Sequence, residues 1–138
     1  MKKLTLIIVV SMSIIAFSCS KSDDDTNDPD PTPVENYTIE YSVISTGKVT
    51  IDDITYLDKD GTSITISDDT LFVKSFEQPL NNYHGKIYVK GSIEEYGTST
   101  YSLKIYDINN NIVKTKLGET YGAGSNFAWS AEFKNTEN

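Results

Sequence analysis

The chain of 138 residues carries 12 basic residues, all Lys, against 20 acidic ones, for a net charge of −8, with one Cys and one His. This length allows one domain, and an acidic chain without Arg excludes a phosphate-binding nucleic-acid surface, which needs clustered cations. A single Cys excludes a disulfide framework and a Cys-based zinc site, so neither metal nor cofactor is expected.

Met1-Lys2-Lys3 is a short positive segment, and an apolar run follows from Leu4 to Phe17. That run is too short to cross a bilayer core comfortably. Its charge, length and small-residue exit are those of a secretory signal peptide, expected over residues 1–18. Ala16-Phe17-Ser18-Cys19 places a small residue directly before the only Cys, and the segment resembles a bacterial lipobox. The resemblance implies acylation, of the palmitate type, at Cys19. Each buried CH₂ contributes about 0.8 kcal/mol, and two or more chains anchor a protein stably. Ser22, Asp23, Asp24 and Asp25 then resemble the export signal of Bacteroidetes-type surface lipoproteins, which implies display on the outer face of the outer membrane.

Residues 19–36 consist mainly of Asp, Ser, Thr, Asn and Pro, with Pro29, Pro31 and Pro33 alternating. Such a segment has little to bury and cannot offset its ordering entropy, so a disordered, extended tether is expected. At about 3.1 Å per residue it would reach roughly 50 Å from the lipid. Residues 37–134 read as the domain and 135–138 as a disordered tail.

From Tyr37 onward the apolar period is two. Tyr37, Ile39, Tyr41 and Val43 share one parity, as do Ile64 and Ile66, then Ile87, Val89 and Ile93, then Tyr101, Leu103 and Ile105, and finally Phe127, Trp129, Ala131 and Phe133. Each series reads as a half-buried strand rich in β-formers. Turns are expected at 58–61 (Asp-Lys-Asp-Gly), at 94–99 around Gly97, and at 107–111, where three Asn follow each other in sequence. One strand switches parity, with Val49 and Ile51 on one side and Ile54 and Tyr56 on the other. A β-bulge at Asp52-Asp53 would return both pairs to the core. Seven or eight short antiparallel strands imply an all-β, single-domain, immunoglobulin-like sandwich.

The stretch Asp53-Ile54-Thr55-Tyr56-Leu57-Asp58-Lys59-Asp60-Gly61 resembles the D-I-T-Y-x-D-x-D-G hairpin of MmpS-like proteins, transport-accessory proteins of mycobacterial membranes. Phe72-Val73-Lys74-Ser75-Phe76 and Tyr121-Gly122 are similar to later elements of that family, in the same order. The resemblance implies a small β-sandwich facing away from a membrane and partnership with a large exporter of the resistance-nodulation-division type.

Groups that carry catalysis are scarce. In Asp58-Lys59-Asp60-Gly61 the glycine register would make Tyr56 and Ser67 the end ligands of a calcium loop, so a hairpin turn is the better account. Asp52-Asp53 and Glu94-Glu95 are sequence neighbours, which point to opposite faces of a strand rather than across one cleft. His84 has no evident partner, and Ser125 lies in neither a nucleophile elbow nor a phosphate loop. No enzyme is expected. A hairpin of 86–94 with 100–107, closed by a loop at 96–98, would set Tyr88 beside Tyr106 and Lys90 beside Lys104, with Lys86 nearby. Aromatic faces beside ammonium groups suit a sugar or an anion. The expected role is a lipid-anchored surface module that binds a glycan or a protein without catalysis. The alternative is a periplasm-facing accessory subunit of an export complex.

Overall fold

The computed structural model describes residues 35–135; the signal peptide, Cys19, the Ser22–Asp25 motif and the tether lie outside them. Among the described residues there are six antiparallel strands and no helix: β1 (Asn36–Leu57), β2 (Ser63–Ile66), β3 (Leu71–Pro79), β4 (His84–Tyr106), β5 (Ile112–Gly122) and β6 (Ser125–Lys134).

Two strands dominate. β1 and β4 run 22 and 23 residues, several times the common strand length, and each serves two sheets. Residues 36–44 of β1 pair with β3 on one side, and residues 97–106 of β4 pair with both β1 and β5. This makes a front sheet in the order β3-β1-β4-β5. The other halves pair with β2 and β6, making a back sheet in the order β2-β1-β4-β6. The two sheets face each other across the core. Tyr41 of the front lies 5.6 Å from Tyr56 of the back, ring to ring, and Tyr101 of the front stacks on Trp129 of the back at 5.4 Å. The molecule is therefore an all-β sandwich in which six strands supply eight segments.

Continuous strands can turn this corner because their register breaks there. Gly47 faces Gly97 at the turn, with φ +83 at Gly47. A Cβ on Gly47 would stand 2.6 Å from the Tyr96 carbonyl oxygen, so only glycine permits the approach. Beyond it, Lys48 of β1 stands opposite residues 94–96 of β4, and its Nζ pairs with Glu95 at 2.7 Å. The second break falls between Ile51 and Asp53, leaving Asp52 as the extra residue. This is the bulge that the parity switch requires. Ile51, Ile54 and Tyr56 are all buried, each stabilising the fold by roughly 1.5–3 kcal/mol.

Among the described residues every core side chain lies between Ile39 and Ala131, in one cluster. The compact unit Pro33–Asn138 contains that whole cluster, the property expected of a domain able to fold by itself. A single hydroxyl makes two hydrogen bonds across that core. The Tyr41 hydroxyl donates to the Leu57 carbonyl at 2.9 Å and accepts from the Lys86 amide at 3.2 Å. Burial pushes its pKa up to about 12.

Two of the three expected turns are present. The Gly61 amide donates to the Asp58 carbonyl between β1 and β2, and the Asn110 amide donates to the Asp107 carbonyl before β5. The turn expected at 94–99 is absent, and β4 runs straight through it. Gly97 is held extended by Gly47 on one side and Gly122 on the other, so long-range pairing takes the place of a local turn.

Candidate functional site on the front sheet

Loss of that hairpin rearranges the expected binding patch. Lys86, Tyr88 and Lys90 stand on the outer face of the back sheet, and Lys104 and Tyr106 stand on the outer face of the front sheet. Tyr88 is opposite Thr55 and Ser130, whereas Tyr106 is opposite Thr38 and Ile112. Tyr88 and Tyr106 are therefore not neighbours, nor are Lys90 and Lys104. β4 is also interior to both sheets, so these lysines guard no edge.

Each half joins other residues. Lys86 and Tyr88 line a small hollow of about 180 Å³ with Thr55, Leu57 and Ser63. Lys86 Nζ also lies 3.3 Å from Glu132, whose other oxygen is 2.8 Å from His84 Nε2. Hydrogen bonds from His84 and then Lys86 hold the Glu132 carboxyl below its ordinary range. The His84 partner was invisible in sequence because 48 residues separate the pair, and only the β4–β6 register joins them.

The front sheet carries the larger feature. A groove of about 470 Å³ runs between β1, β4 and β5, lined by Ser42, Thr100, Ser102, Lys104, Leu117 and Glu119. Period-two alternation puts these side chains outside while Tyr41, Val43, Tyr101 and Leu103 fill the core. Ser42 and Ser102 share a hydrogen bond of 2.7 Å across the groove floor. At one end Glu40 accepts from Lys104 at 3.3 Å and from the Tyr106 hydroxyl at 3.1 Å. Desolvation works to lower the Lys104 pKa, but hydrogen bonding and the charge of Glu40 outweigh it and keep the ammonium form favoured. Partial burial and the same carboxylate raise the Tyr106 pKa.

Apolar side chains flank this groove. Ile44, Leu71 and Val73 are exposed on the β1–β3 side, and Leu117 and Tyr121 on β5. On the outer face of the back sheet, Tyr88 is the one large apolar side chain as exposed, among the described residues. Sequence reasoning reached Lys104 and Tyr106 but missed Ser42, Thr100, Leu117 and Glu119. Leu117 carried a signal, as an apolar residue between Lys116 and Gly118 with no apolar partner at period two.

Asp58 and Asp60 belong to the β1–β2 turn, where Asp60 accepts from the Thr62 amide. Among the described residues no group of three or more His, Cys, Asp or Glu is placed to hold a metal ion. No helix among them is long and apolar enough to cross a membrane. No family model matches the chain, and no match is found among curated proteins.

Proposed function

We propose that this protein is a lipid-anchored surface lipoprotein whose domain binds a glycan without catalysis, in the groove of the front sheet. The observation that supports this reading best is the composition of the groove. Hydroxyls from Ser42, Thr100 and Ser102, the Lys104 ammonium, the Glu119 carboxylate and the apolar wall of Leu117 meet in one hollow. A sugar ring presents hydroxyls that both donate and accept, together with an apolar face, and such a lining answers both. Anchoring and display rest on Cys19 and on Ser22, Asp23, Asp24 and Asp25. The tether would hold the groove clear of the membrane.

Two experiments test this reading. The segment Pro33–Asn138 is applied to a glycan array and the best hit is measured by calorimetry for wild type, Thr100→Trp and Tyr88→Ala. Filling the groove with Thr100→Trp should weaken binding at least tenfold, and Tyr88→Ala on the other sheet should leave it unchanged. The reverse pattern would move the site to the back sheet. Protease shaving of intact cells then compares wild type with Asp23→Ala/Asp24→Ala/Asp25→Ala and with Cys19→Ser, beside a lysed control. Cleavage of wild type alone supports display. Protection until lysis, with an exporter co-purifying, would replace this reading with the accessory-subunit alternative.

A further inference from the structure

We infer that the front-sheet groove selects a sugar carrying a free amine, and that Glu119 holds its ammonium group. The inference rests on the glycan-binding reading and narrows the ligand to one chemical class. Strand register fixes the charge of this face. Directly paired residues share one side of a sheet, so Glu40, Glu77, Lys104 and Glu119 point outward together with Ser42 and Ser102. Lys74 is paired with Tyr41, Lys114 with Ile105 and Lys116 with Leu103. All three partners are buried, so these lysines point inward. Among the described strand residues, the outer face of the front sheet therefore carries three carboxylates and one ammonium.

That ammonium is already committed. Lys104 bonds Glu40 at 3.3 Å, with the two side chains only 29% and 27% exposed. The Tyr106 hydroxyl donates to the same carboxylate oxygen. An anionic sugar would have to displace Glu40 from Lys104 and would meet Glu119 in the same groove.

Glu119 is differently placed. It lies opposite Thr100 at the other end of the groove, exposed, and among the described residues no cation is within ion-pair distance of it. Its neighbours on the same side of β5 are Leu117 and Tyr121, 69% and 78% exposed, each about 7 Å along the strand. A carboxylate beside an aromatic ring suits an ammonium, because the acid neutralises the charge and the ring face attracts a cation within about 6 Å. The sugar hydroxyls then fall on Ser42, Thr100 and Ser102. An acetamide in place of the amine brings Glu119 no charge, and a uronate brings repulsion. The expected order of preference is amine, then acetamide, then carboxylate.

Calorimetry on the full chain compares a glucosamine oligomer, its fully N-acetylated counterpart and an oligogalacturonate of the same length. The glucosamine oligomer should bind about fivefold tighter than the N-acetylated one, the upper range for an exposed ion pair, and the oligogalacturonate should bind most weakly. Glu119→Gln should erase the difference, whereas Glu77→Gln, on the same face but outside the groove, should keep it. Added salt should narrow the preference in wild type, since exposed charges are screened, and should leave Glu119→Gln unmoved. Three results would overturn the inference and leave the glycan reading standing: equal or tighter binding of the N-acetylated oligomer that Thr100→Trp still blocks; tighter binding of the oligogalacturonate; or a preference that survives Glu119→Gln or falls equally with Glu77→Gln. No measurable binding of the glucosamine oligomer would also overturn it, with the glycan array deciding the wider reading. Binding of every oligomer indifferent to Thr100→Trp would remove the groove and both readings with it.

Discussion

Gly118 sits on the inner side of β5 opposite Tyr101, and the edge of Trp129 occupies the space a side chain would need. A Cβ there would stand 2.2 Å from Trp129 Nε1 and 2.5 Å from Cδ1. To reach an ordinary contact of 3.4 Å the indole must withdraw by roughly 1.2 Å. It cannot do so and keep its stack on Tyr101, whose ring is 5.4 Å away and tilted by 20°. Overpacking of this kind costs about 1–3 kcal/mol, and loss of an aromatic pair about 0.5–1.5 kcal/mol. Gly118→Ala should therefore destabilise the domain by roughly 2–4 kcal/mol, a large share of the ~5–15 kcal/mol typical of a domain. Urea unfolding followed by far-UV circular dichroism measures it, and a double-mutant cycle assigns the cause. In a Trp129→Leu background the same substitution should cost less than about 1 kcal/mol. An equal cost in both backgrounds, or a single-mutant effect within ~0.5 kcal/mol of wild type, would refute the reasoning.

Tyr41→Phe strands the Leu57 carbonyl and the Lys86 amide inside the sandwich and should cost about 1–3 kcal/mol by denaturant titration. Because the folded pKa of Tyr41 is raised from 10.0 to about 12, its contribution is complete below pH 10 and is lost as pH climbs through about 12. The difference between wild type and Tyr41→Phe should shrink over that window; a constant difference would rule out the linkage. Glu132 is depressed below 4.5, so what it contributes is present above that pH and is lost as pH falls through the folded value. An NMR titration should show its pKa rising toward the ordinary range in His84→Gln. At the corner, deletion of Asp52 removes only the extra residue and keeps Ile51 and Ile54 inward. Deletion of Thr50 turns Ile51 outward and Asp52 inward, and should be less stable than the Asp52 deletion by at least ~2 kcal/mol. Equal midpoints in urea would overturn the assignment of the bulge.

Most residues facing the core were legible because strand geometry is local, Phe72 and Tyr83 being the exceptions that no alternating series announced. Successive side chains alternate, so Ile39, Tyr41, Val43, Ile87, Val89, Tyr101 and Leu103 declare their face from spacing alone. The bulge at Asp52 was legible for the same reason, since it inverts parity and the inversion shows in the apolar pattern. The path of β4 through Gly97 was not. A hairpin there and a continuous strand both keep Ile93 and Tyr101 on the inner side, so the pattern is identical for either. What decides between them is Gly47, fifty residues earlier, and Gly122 after it.

The candidate site divides along the same line. By itself the sequence determined an all-β sandwich, its inward side chains and two of its turns, because each depends on neighbours a few residues apart. Tertiary structure alone decided that Lys104 and Tyr106 share a face with Ser42, Glu40 and Leu117 and are parted from Lys86 and Tyr88. Hydrogen-bond register between strands is set by the closure of the whole sandwich, and no local pattern encodes which strands will lie side by side.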